Sequence, residues 1–196
     1  MFSLCLGIAA FVLYLLYDIN SFTRQLRFVH GFFLSGTVLL CCATAWDVWS
    51  AWEAGAFSGV VDVLLIIGAA LFFLALIYSL FFALPFKETY TEQDGKKRVY
   101  SGGVYALCRH PGILFFFGMY LLLGLAALPT GMVVNSLVFS VLNLGYAWFQ
   151  DRVTFPKTFF DYSDYQKNVP FLIPTKASVR MAKKTLFPGN KEEETP

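Results

Sequence analysis

Residues 110–150 read HPGILFFFGMYLLLGLAALPTGMVVNSLVFSVLNLGYAWFQ, a run of 41 residues with no Asp, Glu, Lys or Arg. A helix that crosses a bilayer needs about 20 mostly apolar residues. The run is twice that length and is interrupted in its middle by Pro129, Thr130 and Gly131. It therefore predicts two spans, 111–129 and 131–149, joined by a tight turn. Charge-free stretches at 1–17, 28–46 and 63–86 add spans over 2–18, 30–47 and 59–85. Backbone polar groups have no water to pair with in lipid, so these segments must be helical. The expected fold is an all-α integral membrane protein with about five transmembrane helices and a cytoplasmic C-terminal segment closing a pocket.

Composition points the same way. Of the 196 residues 57% are hydrophobic and 14% are charged, against about 25% charged in an ordinary soluble domain. Mean hydropathy is +0.60. A disordered chain, a coiled coil and a nucleic-acid-binding module are excluded, and no nucleic-acid partner is expected. A soluble domain could not cover this much apolar surface.

The positions of the charges carry more than their net of +2. Arg24 and Arg27 lie between the first two spans. Lys87, Lys96, Lys97, Arg98 and Arg109 lie between the third and fourth, and every other basic residue follows the fifth. Thus all 15 basic residues fall on one side, which the positive-inside rule makes cytoplasmic, with the N-terminus outside. Trp46, Trp49 and Trp52 form an aromatic belt at the opposite end. The first span has no basic segment before it and no small-residue cleavage site, so it reads as a retained helix. Cys5, Cys41, Cys42 and Cys108 include no C-x-x-C pair, so neither a disulfide framework nor a metal site is expected.

The chain divides into a scaffold of three spans (1–85), a region rich in candidate functional residues (86–175) and a basic segment with an acidic tail (176–196). Asp94-Gly95 marks a turn in the loop over 86–110. Residues 150–174 are polar yet carry Phe155, Phe159, Phe160, Tyr162, Tyr165 and Phe171, so they should pack on the cytoplasmic mouth of the bundle. Residues 176–187 intersperse basic residues with Val179, Met181 and Leu186, as an interfacial helix on anionic lipid would. The tail ending in Glu192, Glu193, Glu194, Thr195 and Pro196 reads as disordered.

Three clusters could carry chemistry. Arg109-His110-Pro111 opens span 4, with Pro at the first helical position. The helix start can hold an anion, Arg109 adds positive charge, and His110 is a donor or base. The same triplet also suits a plain Pro-initiated helix with an Arg reaching lipid head groups. Upstream, Lys96-Lys97-Arg98-Val99-Tyr100-Ser101-Gly102-Gly103-Val104-Tyr105 combines basic anchors with glycines that allow close approach to a ligand. Downstream, Gln150-Asp151-Arg152 leaves span 5, followed by Tyr162, Tyr165, Val169, Pro170 and Pro174. An Asp151–Arg152 pair there could orient a charged substrate group, or be a solvated ion pair of small consequence. Asn135 and Asn143 share a helical face and serve as interhelical glue or line a pocket. Asp62 is expected at the outer interface.

Taken in order, residues 103–111, the helical hairpin, residues 149–152 and residues 162–170 resemble the isoprenylcysteine carboxyl methyltransferase family, which is related to the phospholipid methyltransferases. The resemblance covers about residues 90–175. It implies S-adenosylmethionine as methyl donor, with Lys97, Arg98, Val99 and Tyr100 on one side of the cofactor pocket. Tyr105, Arg109, His110, Pro111, Gly112 and Ile113 would form the other side, with Tyr162 and Tyr165 in the segment closing it. Arg152 matches the substrate-contacting Arg of the family. Ile113 stands where the family has Tyr. The family's acid before the Tyr-x-x-Tyr block falls on Asp151 when counted back from Tyr162, and on Pro156 when counted forward from Asp151-Arg152. Either Asp151 replaces it, one methylene shorter, or the acid is lost. The implied partners are the bilayer and a lipophilic or lipid-linked acceptor bearing a carboxylate, thiol or amine. The alternatives are a non-catalytic membrane relative and an NADPH-dependent membrane reductase on a related scaffold. The oligomeric state is left open.

Overall fold

The computed structural model describes residues 1–83, 97–128 and 130–186. The Asp94-Gly95 turn, Lys87, Lys96, Pro129 and the acidic tail lie outside the described residues. Five apolar helices form the body: α1 (Phe2–Ser21), α2 (Phe32–Glu53), α3 (Val60–Ile77), α4 (Pro111–Ala126) and α5 (Met132–Phe149). Shorter helices follow: α6 (Phe155–Thr158), α7 (Tyr162–Asn168) and α8 (Lys176–Leu186). Among the described residues there is no β-strand, only one isolated parallel bridge between Lys97 and Phe159.

Four helices are long and apolar enough to cross a membrane: α1, α2 with the turn before it, α3 with the turn after it, and α5 continued to Thr158. The fifth expected span is shorter. α4 has 16 residues, about 24 Å at the helical rise. It starts at Pro111, as expected, and turns at Ala126–Ala127, before the expected end at 129. Two other boundaries differ. α2 passes its expected end at 47 and runs to Glu53, so Asp47 lies well inside the helix and not at its end. Span 5 does not leave the bundle at 149: its helix passes through a wide turn, Gln150–Thr154, into α6.

The helices pack in the order α2, α1, α5, α4, α3. α3 exposes Val60, Val61, Leu64, Leu71 and Leu74 on several sides. A helix this apolar around its circumference has lipid as its solvent. Its first turn is closed by Asp62, whose carboxylate accepts the Gly59 N–H at 2.8 Å. The central core brings together Phe11 and Tyr14 of α1, Ala43 of α2, Ala69 of α3, Phe116, Met119 and Tyr120 of α4, and Phe139 of α5. The Tyr14 ring stacks on Tyr146 at 5.5 Å, and Tyr120 and Thr44 hydrogen-bond through their hydroxyls.

A buried polar node fastens the end of the bundle remote from the basic residues. Asn135 donates to both carboxylate oxygens of Asp47, at 3.0 and 2.9 Å, and to Ser3 Oγ at 2.9 Å. Three helices are joined through one amide, the interhelical role of a polar residue in lipid. Asn143, further along the helix, is half-buried.

α1 and α5 approach closely because Gly7 has no side chain. A Cβ on Gly7 would lie 2.0 Å from Phe139 Cε1, inside a fully buried ring. Gly7→Ala is expected to destabilise the bundle by about 1–3 kcal/mol, the range for overpacking a core. Thermal unfolding in detergent should show a lower midpoint, partly restored in the Gly7→Ala/Phe139→Leu double variant.

Candidate functional site

At the basic end, the chain from 97 to 111 meets the helix end at 150–158 and the segment 159–171. The meeting point is Asp151, which is 1% exposed. Arg109 grips its carboxylate with two bonds, Nε to Oδ1 at 2.7 Å and Nη2 to Oδ2 at 3.0 Å. Tyr162 donates its hydroxyl to Oδ1 at 2.7 Å, and Gln166 Nε2 donates to Oδ2 at 3.1 Å. The remaining Arg109 nitrogen, Nη1, donates to the carbonyls of Val169 and Gln166 at 2.6 and 3.0 Å. Its guanidinium also lies 5.7 Å from the centre of the Phe171 ring. The planar fork of Arg suits this two-point grip, and Lys could not reproduce it.

The wide turn aims Asp151 inward. It is followed by Pro156, which has no N–H to donate to Arg152 four residues back and whose ring crowds that carbonyl. The chain responds with a longer step, in which Phe155 N–H reaches the Gln150 carbonyl. The Asp151 carbonyl is capped by Gln166 Nε2 at 2.8 Å. A second wide turn, Tyr78–Phe82, ends α3, closed by the Ala83 N–H on the Tyr78 carbonyl at 2.9 Å. There the Ser79 carbonyl receives the Tyr105 hydroxyl at 2.8 Å.

The expected pairing of Asp151 with Arg152 is replaced by the pairing with Arg109. Neighbouring residues on a helix point in different directions, so Asp151 enters the core while Arg152 is exposed. Asp161, which sequence reasoning passed over, accepts from the Val99 N–H at 2.9 Å and from Arg98 Nε at 3.1 Å. That contact and the Lys97–Phe159 bridge hold residues 97–99 along the cap. Arg98 remains largely exposed, so its ion pair adds little stability. Tyr162, Tyr165 and Val169 form a small core with Val99, Phe155 and Phe159 around it. Tyr165 donates to the Tyr105 carbonyl at 2.6 Å.

Burial pushes the phenols of Tyr162 and Tyr165 well above their ordinary range, with the Asp151 carboxylate adding to the effect at Tyr162. Tyr162 is therefore a neutral donor to Asp151 at every physiological pH. Burial likewise raises Tyr105 to about 12 and the Cys108 thiol to about 11. Cys108 is thus not an activated thiolate, although Arg109 follows it.

His110 differs from its neighbours. Its ring lies between Phe155, stacked at 5.7 Å, and Phe171 at 5.0 Å. Its N–H donates to the Phe171 carbonyl at 3.3 Å, and the adjacent Arg109 N–H to Pro170 at 2.9 Å, so the backbone is fixed. The ring nitrogen Nε2 is buried without a hydrogen-bond partner, 3.4 Å from Asp151 Oδ1 but poorly aligned with it. Pro111 and Ile113 are buried beside it. Gly112 faces Leu76, Ser79 and Leu80, so the start of α4 rests on the wide turn of α3.

Behind this site, Gly103 adopts φ +58°, a conformation that favours Gly. Its N–H donates to Thr185 Oγ1 of α8 at 3.0 Å. Tyr100 folds over the adjacent Gly102. Among the described residues no group of His, Cys, Asp and Glu side chains could hold a metal ion. Comparison with protein-family models, curated proteins and solved structures returns no match to this chain.

Removing one partner of a buried ion pair leaves the other charge stranded, at a cost of about 3–5 kcal/mol. Arg109→Met and Asp151→Leu are each expected to destabilise the protein by that order, and the double variant by less than the sum. Thermal unfolding of the three variants gives the coupling. Cys108 should resist alkylation at pH 8 in folded protein and react once the protein is unfolded, as read by mass spectrometry of the labelled peptide.

Proposed function

We propose that this protein is an S-adenosylmethionine-dependent methyltransferase embedded in the membrane, resembling the isoprenylcysteine carboxyl methyltransferases. In this reading all five apolar helices cross the bilayer, with the N-terminus outside and the site on the cytoplasmic side. The acceptor is a small lipophilic or lipid-linked molecule with a carboxylate, thiol or amine. The supporting observation is convergence. The three sequence blocks that carry the resemblance meet around Asp151 and leave one buried ring nitrogen, His110 Nε2, unsatisfied. A buried polar atom without a partner calls for an explanation, and a polar ligand group supplies one.

The residues fit the donor unequally. Lys97 and Arg98 are exposed cations that suit its carboxylate. Val99, Tyr100, Tyr105 and Gly112 are partly accessible, and an aromatic face suits a sulfonium cation. Arg109, Tyr162 and Tyr165 are committed to the protein's own bonds and act by holding the wall in place. When bound, S-adenosylmethionine supplies an electrophilic methyl group for in-line attack by an acceptor lone pair. In this reading His110 hydrogen-bonds a reactant or takes its proton. The aromatic cap over 155–171 excludes water, and the Arg109–Asp151 grip fixes the distances on which alignment depends. Arg152, outside the network, meets an anionic acceptor from the exposed side.

A second reading, a non-catalytic membrane protein on this scaffold, draws on the saturation of Asp151. With four donors on its carboxylate it serves as a structural lock, so it does not do the work of a free catalytic acid. Membranes containing the protein, incubated with methyl-labelled donor, separate the two. The methyltransferase reading expects a labelled lipid-soluble product that falls by about 100-fold in His110→Ala, the scale of a lost acid–base group. Arg152→Gln should raise KM for an anionic acceptor and leave kcat. Absence of both labelled product and donor binding at millimolar concentration supports the second reading.

A further inference from the structure

Two cavities flank the turn between α1 and α2. One, of about 330 Å³, is lined by the polar residues Tyr17, Asn20, Ser21, Gln25, His30 and Lys97. The other, of about 430 Å³, is walled by Leu16, Ile19, Leu26, Phe28 and Phe32, with Arg24 among its lining. Asn20 belongs to both. Its side chain binds Leu26 twice, accepting from the N–H at 2.8 Å and donating to the carbonyl at 3.1 Å. The turn also holds Gln25 at φ +51°, a left-handed conformation unusual for a side-chain-bearing residue. Its N–H is anchored on the Asn20 carbonyl at 3.1 Å. The partition between the polar and apolar spaces is therefore fixed.

The electrostatics of the pair are one-sided. Lys97 and Arg24 line the cavities, and among the described residues no acidic residue does. Among the described residues neither Lys97, Arg24 nor Arg27 forms an ion pair. The acid at this end of α1, Asp18, is buried and bonded to Thr154. The occupant is consequently anionic at one end. It is also lipophilic, because the adjoining groove is apolar and Phe28 lies 70% exposed at its edge. The pair sits where the apolar run of α1 gives way to charged residues, the level of lipid head groups.

We propose that this turn binds one phospholipid with an anionic head group. Its phosphate lies in the polar cavity against Lys97, and an acyl chain lies in the groove along Leu16, Ile19 and Phe32, under Arg24. The site shares Lys97 with the proposed donor pocket, and its test uses no methyl donor, so it can fail or succeed apart from methyl transfer.

The full-length protein, purified in detergent, is incubated with phosphatidylglycerol or phosphatidylcholine of identical acyl chains. Retained lipid is counted by native mass spectrometry, and stabilisation is read from the thermal midpoint. One phosphatidylglycerol per chain is expected, retained at least about tenfold over phosphatidylcholine, with a rise in the midpoint. Arg24→Gln/Lys97→Gln should abolish the preference, while Lys183→Gln/Lys184→Gln on α8 should leave it, since general attraction to basic residues would depend on both pairs. Equal retention of the two lipids by wild type overturns the proposal, as does equal loss in the two double variants. Displacement of the lipid by millimolar glycerol 1-phosphate or inorganic phosphate also overturns it, because the site would then read only a soluble anion. Should Arg24→Gln/Lys97→Gln fail to fold, wild-type selectivity and the displacement experiment decide the matter.

Discussion

A carboxylate withdrawn from water must be compensated in full or it becomes a liability, and Asp151 imposes that condition on the whole basic end of the molecule. Its charge is met by Arg109 and by neutral donors from Tyr162 and Gln166. Arg109 arrives from the loop before α4 and Tyr162 and Gln166 from α7, so satisfying one residue fixes that loop, the end of α5 and the cap together. The Coulomb attraction is strong there because little water competes, and for the same reason an unmatched partner would be costly. The neutral state of Tyr162 follows from burial and makes it a dependable donor. The unsatisfied nitrogen of His110 stands out against this background because its surroundings are otherwise so completely paired.

Much of the fold is legible in the sequence. Long charge-free runs can only be helices if lipid surrounds them, and the starting Pro of α4 gives its first residue. Of the aromatic residues over 155–165, Phe155, Phe159, Tyr162 and Tyr165 cover one another against Val99, while Phe160 stays exposed. Asn135 reads as a link between helices or as a pocket lining, and it links three helices. The partner of Asn135 was harder to see. Asp47 looks like a loop residue because it ends a charge-free run, yet the helix continues beyond it, and an amide from another helix compensates its burial.

The arrangement around Asp151 was not legible for a different reason. Adjacency in sequence suggested Asp151–Arg152, whereas helical geometry turns neighbours apart and brings in Arg109 from 42 residues away. The signal that could have corrected this is Pro156. A proline inside a continuing helical pattern removes one helical bond and crowds the carbonyl four residues back, and the resulting change of step alters which side chains face inward. Asp161 gave no signal at all, because its role depends on the extended segment 97–99 lying beside it.

The two polar nodes occupy a single rod. Asn135 and Asp151 lie on one continuous helix, 16 residues and about 24 Å apart at the helical rise. One anchors three helices at one end of the bundle, and the other anchors the cap at the opposite end. Neither anchor can slide without breaking bonds in a low-dielectric interior, so the helix is pinned at both ends. Thinning or thickening of the surrounding bilayer then cannot be met by shifting this helix along its axis. The neighbours must tilt around it, among them α3, whose contact with the rest of the bundle runs mainly through α4.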